Sequence, residues 1–399
     1  MKIKNLFLLG ILAFSISACG TAAHLDSVRN DWASENFEKI SADSKSDNLD
    51  LLIGAQAEFQ KGDYKKSDNL FETFNKRDID PTSTTIGSEL GKLAGGQMAT
   101  DYKPYMMDYL FASYYQVWDA LLNGDFDTAR VIINQSYGRQ QKMSAAYRKL
   151  VSKRQKTELA DKLKTNTSQW TAYSDIMNPA LTYLAGLYFL NIGESENARQ
   201  YLVRASGMVP NNSYIKSDLQ SAENGMKPTN TAWIFIETGF APRLLEKKVN
   251  VPWLVGGKMQ VISIATSYPE VFTGDSLKPN GAQKLADTDS MFMTEFNEYQ
   301  INEALRAFSK AVANSALQSA SNDKMGGWGG VITAAYSIAT TNAEIRTWVT
   351  LPQRIYLLRI KKDKSGLIKL NSGDTVNVGF SGNNLIYIRG NDVKIVNIK

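Results

Sequence analysis

The sequence predicts an α+β protein: helical hairpin repeats first, then a mixed domain of antiparallel strands with two or more helices. Three observations carry this. Apolar residues recur at helical spacing through the first half of the chain. A Gly followed at fixed offsets by a small and then a large apolar residue occurs three times. After Lys227-Pro228 the apolar period switches towards two, and turn residues punctuate short runs.

The first nineteen residues, MKIKNLFLLGILAFSISAC, read as an address. Lys2 and Lys4 form a positive region, Leu6 to Phe14 a short apolar core, and Ile16-Ser17-Ala18 precede Cys19. The apolar run is too short for a stable spanning helix, so this is a secretory signal. Its ending resembles a bacterial lipoprotein box, which implies cleavage of residues 1–18 and lipid on Cys19. Gly20 in place of Asp implies the outer membrane by the same resemblance. Residues 19–26 are expected to be a tether, with helical residues 27–227 and strand-rich residues 228–399 after it.

The helical part is organised around Asn178–Asn212. Leu181, Leu184, Leu187 and Tyr188 lead to Gly193, then Ala198, Tyr201, Leu202 and Ala205 lead to Pro210. Two amphipathic helices, a Gly turn and a closing Pro are the unit of a tetratricopeptide-type hairpin. Gly186 and Ala198 are expected where the two helices press closest. Aligning Gly62, Gly124 and Gly193 places Ser67, Ala129 and Ala198 five residues on, and Phe71, Ile133 and Leu202 nine residues on. The copies lie 62 and 69 residues apart, about twice a ~34-residue repeat, so further helices or insertions separate them.

One such insertion, Arg139–Lys164, holds nine basic residues, among them Arg148, Lys149, Lys153, Arg154 and Lys156, against Glu158 and Asp161. It is expected as a basic helical hairpin: a solvated face on the bland reading, or a contact for anionic lipid or an acidic partner. Asp80–Lys103 is rich in Gly and Thr, but no Gly-Lys-Ser/Thr follows and no strand precedes, so it is a loop with a closely packed small-residue helix.

In the second part, Thr231–Thr238 and Met259–Ala265 read as strands, and Met291–Ser321 and Val331–Thr341 as helices, with a Gly-Trp-Gly break between the helices. Arg354–Ile360, Thr375–Phe380, Leu385–Arg389 and Val393–Ile398 read as strands in antiparallel hairpins with one buried face.

Composition closes several doors. The net charge of +5 includes the two signal lysines and is too weak to imply nucleic acid. One cysteine excludes an internal disulfide, and one histidine, His24, makes Cys/His zinc sites and histidine-dependent chemistry poor expectations. No cofactor is expected.

Four segments in order, Tyr114–Ser136, Asn178–Asn212, Ile234–Pro242 (IFIETGFAP) and Glu344–Pro352 (EIRTWVTLP), resemble a family of tetratricopeptide-like bacterial outer-membrane lipoproteins. The resemblance implies an envelope protein near cell-wall assembly and carries no activity. Its motifs single out Glu237, Gly239, Pro242, Glu344, Arg346 and Trp348. A carboxylate beside Gly and Pro at a strand end can do acid–base work, and Glu344 with Arg346 can form an ion pair instead.

The reading that unites these observations is a protein-binding scaffold, not an enzyme. It is anchored to the outer membrane through Cys19, faces the periplasm and holds an envelope protein or peptide on its helical repeats. The alternatives are an enzyme acting on an envelope polymer through Glu237, and a lipid-handling protein using the basic hairpin.

Overall fold

The computed structural model describes residues 21–42, 47–77, 101–152, 177–255, 258–272, 278–325, 343–369, 375–379 and 381–398. They form a mixed helix and sheet architecture. Helices α1 (21–33), α2 (Phe37–Ala42), α3 (Asn48–Lys61), α4 (Tyr64–Lys76), α5 (Met106–Leu122), α6 (Phe126–Ser152), α7 (Pro179–Asn191), α8 (Ser195–Met208) and α9 (Ser213–Glu223) come first. Strands β1 (Thr231–Thr238), β2 (Arg243–Val255), β3 (Lys258–Glu270) and β4 (Gln283–Asp287) precede α10 (Thr288–Met325). Strands β5 (Arg354–Lys361), β6 (Leu367–Lys369), β7 (Thr375–Asn377), β8 (Asn383–Arg389) and β9 (Asp392–Ile398) complete the order.

Three hairpins, α3–α4, α5–α6 and α7–α8, turn at the three glycines aligned in the sequence. Gly62, Gly124 and Gly193 have φ of +86°, +74° and +85°, a conformation that a Cβ would strain. The residue after each glycine, Asp63, Asp125 or Glu194, immediately precedes the next helix. Asp63 accepts from the Lys66 N–H and Asp125 from the Thr128 N–H, which satisfies amide groups that the first turn leaves open. The small residues Ser67, Ala129 and Ala198 and the large ones Phe71, Ile133 and Leu202 are all fully buried. Small-then-large at these offsets lets each pair of helices interlock.

Helix α7 is buried at every position, with Asn178 capping the Ala180 and Leu181 N–H groups and Pro179 in the first turn. Helix α5 is likewise buried from Met106 to Leu121. These two helices are the spine of the helical layer.

The main sheet has the order β4-β5-β1-β8-β9. Its central strand reads Ala-Trp-Ile-Phe-Ile because both of its faces are covered. Trp233 and Phe235 face the helices with Leu357, Leu385 and Tyr387. Ala232 and Ile234 face the other way, onto Ile368 and Val378 at the small β6–β7 ribbon. The layers are therefore helices, sheet and ribbon. The principal core runs without a break from Leu25 to Ile398, through both the helices and the sheet.

Several expectations change. Residues 21–26 were expected in the tether; they are helical, because Leu25 is buried and Asp26 pairs with Arg243 of β2. The strands are not all antiparallel: β1 pairs with β5 antiparallel but with β8 in parallel, from Ala232↔Asn384 to Glu237↔Arg389. Apolar alternation reports which face is buried and is blind to strand direction. The first part of the basic stretch, from Arg139, continues α6 without a turn to Ser152, and the rest of it lies outside the described residues. Arg148 and Lys149 are exposed near the end of α6. Strands β2 and β4 were not anticipated. Cys19, Lys153, Arg154, Lys156, most of Asp80–Lys103 and the expected helix Val331–Thr341 lie outside the described residues.

Candidate functional site

The α7–α8 hairpin builds one wall and the floor of a recess on the helical layer. A Cβ built on Gly186 would meet Leu202 Cγ and Cδ2 at 2.8 Å, so the absent side chain is what lets the two helices come together. This closeness stacks Phe189 on Tyr201 with ring centroids 5.5 Å apart. Arg130 of α6 then ties the third helix in. It forms an ion pair with Glu194 at 2.5 Å and lies 5.7 Å from the Phe189 ring centre. Hydrogen bonds from Asn197 and Arg130 hold the Glu194 carboxyl below its ordinary range.

Between α6, α7 and α8 lies a shallow, half-open recess. Leu181, Thr182 and Ala185 of α7 floor it, Ser136, Tyr137 and Gln140 of α6 form one wall, and Tyr201 and Arg204 of α8 form the other. Arg204 stands with its guanidinium carbon 4.1 Å from the Tyr137 ring centre and 6.0 Å from that of Tyr201. It also donates to the Tyr137 hydroxyl at 2.7 Å. The free space in it is about 10 Å³, far below the ~300 Å³ at which small-molecule pockets begin, so it is a shallow surface recess against which a partner's side chain could lie. An arginine between two tyrosines over a small-residue floor is the residue set that dominates binding energy at protein interfaces.

A second cluster joins the layers from within. Glu237, at the end of β1, has a fully buried side chain. It accepts from Tyr115 of α5 at 3.0 and 3.2 Å, from Tyr387 of β8 at 2.8 Å and from Arg389 of β8 at 3.3 Å. Burial raises its pKa despite the opposing Arg389 charge. Burial likewise lifts the Tyr115 and Tyr387 phenols well above 10, so they remain donors.

Gln56 of α3 extends this network. Its amide nitrogen donates to the Tyr115 hydroxyl at 2.7 Å, and its oxygen accepts from Trp348 Nε1 at 2.9 Å and Thr350 Oγ1 at 2.6 Å. Arg389 also donates to the Thr350 carbonyl at 2.6 Å and lies 4.7 Å from the Trp32 ring centre. Both oxygens of Glu237 are engaged by side chains of the protein itself. This geometry holds helices to sheet and leaves the carboxylate no face for a substrate.

Of the other sequence candidates, Trp348 belongs to this network, and Gly239 and Pro242 line the turn beside it. Gly239 has φ +66°, and a Cβ there would lie 2.9 Å from that of Gln353. The Pro242 carbonyl accepts from Thr347 Oγ1 at 3.4 Å. Glu344 and Arg346 form a two-pronged ion pair at 2.9 and 2.6 Å, with Arg346 5.9 Å from the Tyr102 ring centre. His24 is exposed on α1. The structure thus gathers Glu237 and Trp348 into one network, and Gly186 and Ala198 into the hairpin.

The sequence reading missed a buried acid pair at the start of α5. Glu295 of α10 accepts from the Met106 N–H at 2.7 Å and the Met107 N–H at 3.3 Å, so one helix caps another. Asp108 accepts from the Tyr102 hydroxyl at 2.7 Å and the Tyr105 N–H at 2.9 Å. Burial pushes Glu295 up to about 8 and Asp108 up to about 7. It also missed Tyr137, Arg204 and the Tyr115–Tyr387 pair. Besides Glu237 and Trp348, which the sequence singled out, Gln56 in the Leu51–Ala57 apolar run was a further signal for the buried network. Among the described residues no group of three or more His, Cys, Asp and Glu side chains is placed to hold a metal ion.

No family model matches the chain, and neither a curated protein nor a solved structure matches it.

Proposed function

We propose that this chain is a lipid-anchored envelope scaffold that holds a protein or peptide partner in the cleft between α6, α7 and α8. In this reading Cys19 carries the lipid, the outer membrane is the anchor surface, and the hairpins are tetratricopeptide-like units facing the periplasm. The partner presents an aromatic or acidic side chain to Arg204 between Tyr137 and Tyr201. By the sequence resemblance, it belongs to a peptidoglycan-related assembly.

The observation that carries the reading is the cleft itself. It is too small for a metabolite, it presents Arg204 between Tyr137 and Tyr201, and it lies on the hairpin that the sequence singled out. The signal sequence supports the location. No described helix is long and apolar enough to cross a membrane. The polymer-enzyme alternative draws no support from Glu237, whose oxygens are engaged by Tyr115, Tyr387 and Arg389.

The test is in-cell photo-crosslinking from Gln140, followed by mass spectrometry. A single dominant envelope protein is expected, lost with Arg204→Ala or Tyr201→Ala and retained with Arg148→Ala/Lys149→Ala. Capture that is indifferent to Arg204 and Tyr201 overturns the reading.

A further inference from the structure

A different surface carries a different contact. Strands β2 and β3 form a two-stranded ribbon of 13 residues a side, which spans about 40 Å. Its inner face, Val251, Ile262 and Ile264, packs on Ala304 and Phe308 of α10 in a core of its own. Its outer face is uncovered towards the tip and covered at Ala265, where the principal core begins. Nearest the tip, Leu254 stands opposite Met259 and Pro252 opposite Val261. Asn250 opposite Ser263 comes next, and Lys248 follows on the same face of β2.

The apolar end is well exposed: Leu254 by 61%, Met259 by 70% and Val261 by 68%. Trp253, 40% exposed, leans its ring on Phe308 from the side at 4.9 Å. Four of the ten large hydrophobics exposed among the described residues therefore fall within nine residues of sequence. Single exposed apolar residues are ordinary; a clustered patch marks an interaction surface.

Charge selects the occupant. Over the ribbon, Arg243 to Glu270, the chain has one arginine and three lysines, Lys247, Lys248 and Lys258, against Glu246 and Glu270, and Glu270 is already paired with Arg243, which leaves a positive balance. We infer that this ribbon tip inserts into the surface of an anionic lipid bilayer. Apolar side chains enter the acyl boundary, the Trp253 ring sits at the interface, and Lys247 and Lys248 meet headgroup phosphates. The contact does not need lipid on Cys19, and it lies on α10 and the ribbon, away from the α6–α8 cleft.

The test uses residues 20–399, which contain every described contact and lack both signal and lipid. The protein is floated with phosphatidylcholine vesicles and with vesicles that also contain phosphatidylglycerol. It is expected to float with the anionic vesicles and poorly with the neutral ones. Leu254→Asp/Met259→Asp should lower the bound fraction at least tenfold. Lys247→Glu/Lys248→Glu should remove the preference for phosphatidylglycerol. These side chains are exposed, so circular dichroism should be unchanged, and Val261→Asp provides a second variant of the same face. Failure of the parent protein to float overturns the inference, as does a Leu254→Asp/Met259→Asp protein that floats equally well. A dimer in light scattering that these substitutions dissolve, without flotation, also overturns it and assigns the face to a second copy.

Discussion

The hydroxyl of Tyr115 and the carboxylate of Glu237 meet at 3.0 Å across 122 residues of chain and bind the helical layer to the sheet. Tyr115 is a donor to Glu237 and an acceptor from Gln56, so it has no spare capacity and neither neighbour can be lost quietly. Glu237→Ala should leave Arg389 buried with a lost counter-charge and cost about 3–5 kcal/mol. Tyr115→Phe should cost about 1–3 kcal/mol. Urea denaturation reads both, and a Glu237→Ala midpoint equal to the parent would disprove the network's role.

Gly186→Ala should destabilise by about 1–3 kcal/mol, since the new methyl would overlap the Leu202 side chain. Adding Leu202→Ala vacates that space, so the double variant should be less destabilised than the sum of the singles. Strict additivity in thermal melts would mean that the two side chains do not share the site.

The acid pair sets a pH dependence. Glu295 is raised from 4.5 to about 8 and Asp108 from 3.8 to about 7, in both cases chiefly by burial. In the interval between the ordinary and raised values, the folded chain retains protons that the unfolded chain has released. The stabilisation is thus complete below the ordinary carboxylate range and is lost as pH rises towards 8, at up to about 1.4 kcal/mol per pH unit for each group. Glu295→Gln cannot titrate, so its melting temperature should gain on the parent's between about pH 5 and about pH 8.5. A constant difference between the two proteins would contradict the assignment.

Gly239→Val should be more damaging than Gly225→Val, although both glycines have positive φ. At Gly239 a Cβ would lie 2.9 Å from Gln353 and 3.2 Å from Phe272, whereas at Gly225 it meets nothing within 4 Å. Strain is common to both sites, so the excess loss, read by soluble yield and melting temperature, measures the overlap alone.

Much of this architecture was legible in the sequence because local chemistry wrote it there. Gly62-Asp63 and Gly124-Asp125 encode a left-handed turn and the next helix cap in two adjacent residues. Gly186 encodes a close approach. The strands β1, β5, β8 and β9 were readable from β-rich runs and turn residues, yet the parallel pairing of β1 with β8 was not, since direction is decided by partners more than 100 residues apart. The candidate cleft was half legible. Its hairpin stood out, but Tyr137 and Arg204 gain meaning only when α6 is laid against α8. Strand β2 was not read at all: its lysines and proline give a weak local strand signal, which its pairing with β3 and the α10 core beneath override.

Because β1 takes one neighbour from residues 354–361 and the other from residues 383–389, its centre stays open until nearly the whole chain has been delivered. Gln60 of α3 waits for Tyr387, 327 residues later, and Lys394 reaches back 334 residues to the Gln60 carbonyl. A chain delivered from its N-terminus therefore presents its helices first, with their sheet-facing sides bare, and closes last. Its maturation is gated by arrival of the final strand pair, and the interval before that arrival is when it most needs a chaperone's cover.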